Sequence, residues 1–251
     1  MTDNTKLSVY STYREATRAL LHIVGLWPLG HSNFFYRFLP FLYIFAVSVA
    51  IFATLNYVFH HITQVPLVVK GMGIGTSLIT VMLKMSTMLI HRERARDLHQ
   101  ILEQSFRAAL GDKRLTNLLL KGISTVRALC WILIPTVFVM MAVYTVTPIW
   151  NIILQKRNTE TMTYQLIYPG VYPWDIPNVL IYRIHYTIET FASITIFSVT
   201  CGIDALFAYY IFLMIGQLRM MTYKLTHLDD QKRIEVVVKE CVIYSVLSSC
   251  G

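Results

Sequence analysis

Residues 38–59, FLPFLYIFAVSVAIFATLNYVF, carry no charge over 22 positions. At about 1.5 Å per residue, a helix of that length crosses the roughly 30 Å hydrocarbon core of a bilayer. Three more runs follow. Residues 71–90 are interrupted only by Lys84, residues 128–154 are uncharged over 27 positions, and residues 190–218 are interrupted only by Asp204. A single run of this kind suits the buried helix of a soluble protein, but four in one chain do not. Charged residues make up 14% of the sequence, well below the roughly 25% of a soluble domain, so polar surface is too scarce to cover a water-soluble fold. The fold class is all-α: a polytopic membrane helix bundle whose long helices extend into the cytoplasm.

Orientation follows from Lys and Arg in the connections. Residues 1–37 hold four, the segment 91–127 eight and the tail 219–251 five, whereas 60–69 holds none and 155–183 three. The positive-inside rule therefore predicts a multi-pass protein with a cytoplasmic N-terminus and a cytoplasmic tail. As a single transmembrane domain over 1–251, the chain divides into a cytoplasmic N-terminus (1–37), spans at 38–59, 66–90, 128–154 and 186–218, a cytoplasmic loop (91–127), an extracellular loop (155–185) and a cytoplasmic tail (219–251). Ala16, Leu20, Ile23 and Val24 predict an amphipathic interfacial helix over 12–24, with a solvated helix as the alternative. Leu98, Ile101, Leu102 and Phe106 recur at helical spacing in the cytoplasmic loop, and the second and third runs are expected to continue past the membrane. In the tail, Ile234, Val237, Val238, Cys241 and Val242 share a helical face. The basic charge lies between apolar runs, which argues for a membrane and not for nucleic acid as the partner.

Lys84 and Asp204 are the sharpest polar residues. A charge at the bilayer centre costs from ~3 kcal/mol upward, so such groups face protein or water. Counted along their helices, both lie about 10 Å from the inner surface. They are predicted to pair or to line a polar inner cavity, with snorkelling as the alternative for Lys84. Asp204 reads as the one clear acid at depth. Gly71 and Gly75 allow close helix packing or a small cavity. His60 and His61 point in different directions on a helix and make a poor chelate. The cysteines (130, 201, 241 and 250) lack metal-binding or redox spacing. No nucleophile motif, metal cluster or cofactor motif is evident, and an enzyme is not expected.

Val24-Gly25-Leu26-Trp27-Pro28 precedes the first run, Met82-Leu83-Lys84 lies in the second, Tyr172-Pro173-Trp174-Asp175 precedes the fourth, and Asp204-Ala205-Leu206-Phe207 and Gln217-Leu218 lie within it. In order and spacing these resemble the GLWP, apolar-Lys, Y-P-F/W-D and D-x-L-F elements of insect odorant receptors, and the YPWD form resembles hymenopteran members. The resemblance implies seven helices of inverted topology, of which four are present here, and a ligand-gated cation channel assembled as a heterotetramer with a shared co-receptor subunit. It implies a volatile odorant bound in an outer-half cavity. Since the pore-lining helix is not among these runs, the chain is expected to be a truncated or partial product that does not conduct alone.

For that cavity, apolar walls with a few hydrogen-bonding groups suit a volatile. On the outer halves of the second, third and fourth runs this selects Thr76, Ile79, Thr80, Met141, Tyr144, Thr145, Phe191 and Thr195. Tyr172, Pro173, Trp174 and Asp175 are expected to form an extracellular lid, or alternatively the turn that starts the fourth helix. A G-protein-coupled receptor would need an external N-terminus, and loops 60–69 and 155–183 lack its usual cysteine. A gustatory receptor shares the inverted topology, and a multi-helix transporter or other receptor would be expected to carry more buried acids.

Overall fold

The computed structural model describes residues 3–27, 34–109, 116, 119, 122–158, 164–172 and 179–226. Six helices carry most of them: α1 (Asp3–Ile23), α2 (Phe34–His60), α3 (Val65–Ile90), α4 (Arg92–Ala109), α5 (Ile123–Asn158) and α6 (Val179–Thr226). Four of these, α2, α3, α5 and α6, are long and apolar enough to cross a membrane. The 48 residues of α6 rise about 70 Å, more than twice what a bilayer core requires. The apolar face expected over 234–242 in the tail lies outside the described residues.

Threonines within the apolar helices are accommodated by a recurrent device. Thr54, Thr80, Thr87, Thr136, Thr187 and Thr190 each donate their hydroxyl to the carbonyl four residues back. The hydroxyl hydrogen is satisfied inside its own helix, as a dry environment demands.

Contacts divide the chain into two compact units. The larger comprises Glu15–Arg96 and Leu129–Leu206. Here α1 ends in a Schellman turn: Gly25 N–H donates to His22 O (3.2 Å) and Leu26 N–H to Leu21 O (2.9 Å). Gly25 takes φ +73°, a left-handed conformation that glycine adopts without a Cβ penalty. Val24, Leu26 and Trp27 are buried behind it. The segment is therefore a helix stop that folds the chain back toward α2, where the Tyr36 hydroxyl donates to Trp27 O at 3.3 Å. The apolar face expected over 12–24 is rotated from its predicted position. Ala16 and Ile23 are exposed, whereas Thr17, Leu20, Leu21 and Val24 are buried. The reason is a protein neighbour on the buried face: a Cβ on Gly202 of α6 would stand 2.9 Å from Leu21 Cδ2.

A short connection joins α2 and α3, with Pro66 in the first turn of α3. A Cβ on Gly71 would lie 2.6 Å from Val58 Cγ2, and one on Gly75 would lie 3.7 Å from Thr54 Cγ2. Both glycines thus serve close packing against α2. The second run does not continue past the membrane as one helix. It stops at His91, whose φ −101° and ψ 23° interrupt the helix before α4 begins.

The smaller unit comprises Met1–Arg14, Asp97–Ala128 and Phe207–Gly251. Its centre is aromatic. Tyr10 stacks on Phe106 with ring centroids 4.3 Å apart, and its hydroxyl lies 2.7 Å from that of Tyr209. Leu102 and Phe106 are buried, while Leu98 is exposed. Glu103 gathers Arg14 at 2.5 Å, Arg107 at 2.8 Å and His99 at 3.5 Å. Burial holds the His99 imidazole below its usual pKa, against the opposing pull of Glu103.

Candidate functional site

The polar centre of the larger unit is built on one face of α6. Tyr182, Tyr186, Glu189 and Ser193 recur at i, i+4, i+7 and i+11, which aligns them along the helix. Glu189 is fully buried. Its Oε2 accepts the backbone N–H groups of Ile167 (2.7 Å) and Tyr168 (3.1 Å), and its Oε1 accepts the Tyr172 hydroxyl (2.9 Å). One carboxyl group therefore captures the loop 164–172 at three points. Glu189 is the better buried of the two acids on α6, since the Asp204 side chain is partly exposed. In the sequence Glu189 is inconspicuous because it stands one residue before the apolar run 190–218, where a Glu reads as interfacial.

The captured loop dips into the helices. Ile167 and Tyr168 join Val47 and Ala50 of α2, Leu78 of α3 and Ala192 of α6 in one buried apolar cluster. The Tyr168 hydroxyl lies 2.7 Å from Ser193 Oγ, which donates in turn to Glu189 O. Val171 N–H donates to Ala53 O at 3.1 Å. Gly170 permits this approach, since a Cβ there would stand 2.9 Å from Ala53 Cβ. The Tyr182 hydroxyl donates to Gln165 O (3.0 Å), and the Tyr186 hydroxyl reaches Thr145 O of α5 (2.6 Å). Burial, then the neighbouring Glu189, push the Tyr172 phenol far above its usual range, and burial does the same to Tyr168. Both hydroxyls therefore remain donors across the physiological pH range.

The expected cavity residues separate into groups. Thr195 is fully buried with its hydroxyl on Phe191 O (2.7 Å), and Phe191 meets Tyr43 edge-on at 5.8 Å. The Thr145 hydroxyl donates to Met141 O, and its own carbonyl holds Tyr186. Met141 is half-buried and Tyr144 exposed. Thr76, Ile79 and Thr80 lie on the exposed face of α3, away from the face that meets α2. Tyr172 is half-buried against His185, with ring centroids 4.3 Å apart. Pro173, Trp174 and Asp175 lie outside the described residues. Of the eight, Phe191 alone lines the cavity of about 320 Å³ that opens between α2 and α6.

Lys84 of α3 and Asp204 of α6 form an ion pair, Nζ to Oδ1 at 2.6 Å. Both side chains are partly exposed, so a bilayer or further helices would supply the rest of their surroundings. Each single swap, Lys84→Asp or Asp204→Lys, is expected to lower the amount of folded protein in the membrane several-fold by opposing like charges. The double swap is expected to recover most of that loss in a surface-expression assay. Absence of any recovery would show that the contact does not act as a pair.

Four helices of membrane-spanning length thus flank the buried loop along the chain. Residues 64–244 match the sequence model of the 7tm odorant receptor family. The chain belongs to the 7tm odorant receptor family. No curated protein matches it at a significant level. As an odorant receptor it is a multi-pass membrane protein of a receptor and channel family, not of an enzyme family, and its ligand class is odorants. The match takes in α3, α5, α6, the captured loop, Lys84, Asp204 and Glu189.

Proposed function

We propose that this chain supplies the odorant-recognising helices of a receptor subunit that gates a cation channel with a co-receptor subunit, as a heterotetramer in the plasma membrane. The N-terminus is cytoplasmic in this reading, as the Lys and Arg distribution favours. Loop 164–172 and the start of α6 then face outward. The family match over 64–244 carries the proposal. The tyrosine-rich centre around Glu189 supports this reading by fixing the outer-half backbone of loop 164–172, α5 and α6 beside the residues assigned to the site.

Within that site Met141, Tyr144, Thr145 and Thr195 are assigned to the α5–α6 side, and Phe191 to the side of α6 that faces Tyr43 of α2. Thr76, Ile79 and Thr80 point away from α2, where another helix of a seven-helix receptor would close over them. The threonine hydroxyls of Thr80, Thr145 and Thr195 already donate to their own helices, so they would act on a ligand as acceptors. Tyr172 is assigned to the outer cover with Pro173, Trp174 and Asp175. Expression of the whole receptor with a co-receptor subunit is expected to give odorant-evoked cation currents. Silence across a broad volatile panel, at confirmed surface level and with a working co-receptor control, would overturn the reading.

A further inference from the structure

The cavity between α2 and α6 does not belong to the Glu189 centre. Its walls are apolar: Leu42 and Phe45 from α2, and Ile184, Ile188 and Phe191 from α6. Arg183 contributes the one charge among its lining residues, and the Arg183 side chain is exposed. Thr187 also lines it, with its hydroxyl donated to Arg183 O at 2.8 Å. Leu42, Phe45 and Ile184 are largely exposed, so the groove opens sideways, toward the hydrocarbon of a bilayer.

Arg183 stands at the outer start of α6, where a long basic side chain reaches the headgroup boundary while the groove beside it meets hydrocarbon. No carboxylate among the described residues pairs with Arg183. A guanidinium takes a carboxylate in a two-point hydrogen-bonded pair. The groove volume of about 320 Å³ lies at the lower end of the roughly 300–1,000 Å³ of small-molecule sites, which suits one hydrocarbon chain and not two. From Arg183 to Phe191 the helix rises about 12 Å, a span matched to a medium-length chain.

We propose that this groove binds a single-chain carboxylate amphiphile dissolved in the bilayer, its chain between Phe45 and Ile188 and its headgroup on Arg183. The groove shares only Phe191 with the proposed odorant site and is read by binding, so its failure leaves the receptor assignment standing.

The test uses the purified chain in nanodiscs of phosphatidylcholine alone, photolabelled with a diazirine analogue of dodecanoate and mapped by mass spectrometry. Label is expected on segments 42–46 and 184–191. Free dodecanoate should displace it and dodecanol should not. Arg183→Gln should weaken labelling roughly tenfold, the equivalent of about 1.4 kcal/mol, while Arg183→Lys retains most of it. Ile188→Trp, which fills the groove, should abolish labelling at unchanged helical circular dichroism. Equal displacement by dodecanol, or labelling indifferent to both Arg183→Gln and Ile188→Trp, would overturn the proposal. Displacement by added diacyl phosphatidate at equal concentration would overturn its single-chain specificity.

Discussion

Glu189→Ala is expected to release loop 164–172 and to remove most folded protein from the membrane. The substitution leaves two buried backbone N–H groups and the Tyr172 hydroxyl without their acceptor. Each of the two stranded buried N–H groups costs about 1–3 kcal/mol and the half-buried Tyr172 hydroxyl adds to that, so the total is at least about 2 kcal/mol, a large part of a typical domain's stability. Glu189→Gln separates geometry from charge. Its remaining carbonyl oxygen can take the place of Oε2 and accept both N–H groups, while its amide faces Tyr172, whose oxygen can accept. The Gln variant should therefore stay near the parent level, with Ala far below it. Thermal unfolding in detergent and protease sensitivity of the loop read the difference. Equal behaviour of Gln and Ala, or loss of neither, would show that the carboxyl group does not hold the loop.

Gly25→Ala should be the second most damaging change, although it adds only one methyl group. At φ +73° a non-glycine residue carries about 1–2 kcal/mol of backbone strain. The new Cβ would also stand 2.9 Å from both Pro40 Cδ and the Tyr36 carbonyl oxygen. That carbonyl lies four residues before Pro40, which has no N–H to give it. Neither neighbour is the tip of a flexible side chain, so the clash must move backbone and adds to the strain. A loss of about 2–4 kcal/mol is expected, seen as a marked fall in thermal stability. Ile23→Ala, exposed two residues earlier, serves as the control and should change little. A Gly25→Ala protein as stable as the parent would mean that this helix stop is not confined to the left-handed turn.

The membrane helices were legible because length and absence of charge are unambiguous over twenty residues. The GLWP stretch was legible as a signature, but its physical role was not. That a glycine there closes a Schellman turn depends on which helix ends at Ile23, and periodicity alone did not fix that boundary. The face of α1 was misjudged because Tyr13 and Thr17 are polar enough to read as surface, yet both are buried. Glu189 carried a signal in its spacing with Tyr182, Tyr186 and Ser193, a stripe unusual for lipid-facing helix. Its partners, however, are backbone N–H groups about twenty residues upstream, and side-chain patterns say nothing of those. The choice of Thr76 and Thr80 as cavity residues rested on residue type. Their hydroxyls donate within α3, so type alone did not show which way they act.

The loop that Glu189 holds also constrains the order in which the chain can be completed during synthesis. The hairpin of α2 and α3 is local and can form as soon as both helices have emerged. Ile167 and Tyr168, by contrast, depend on a carboxyl group about twenty residues further on, while Val171 must find Ala53, made more than a hundred residues earlier. Until α6 has been translated and inserted, the apolar cluster around Val47 and Leu78 lacks both its plug and its far wall. The last membrane helix described here is therefore the keystone of the earlier ones. A ribosome pause or a chaperone acting before Glu189 emerges would meet an open core, and one acting afterwards a closed core.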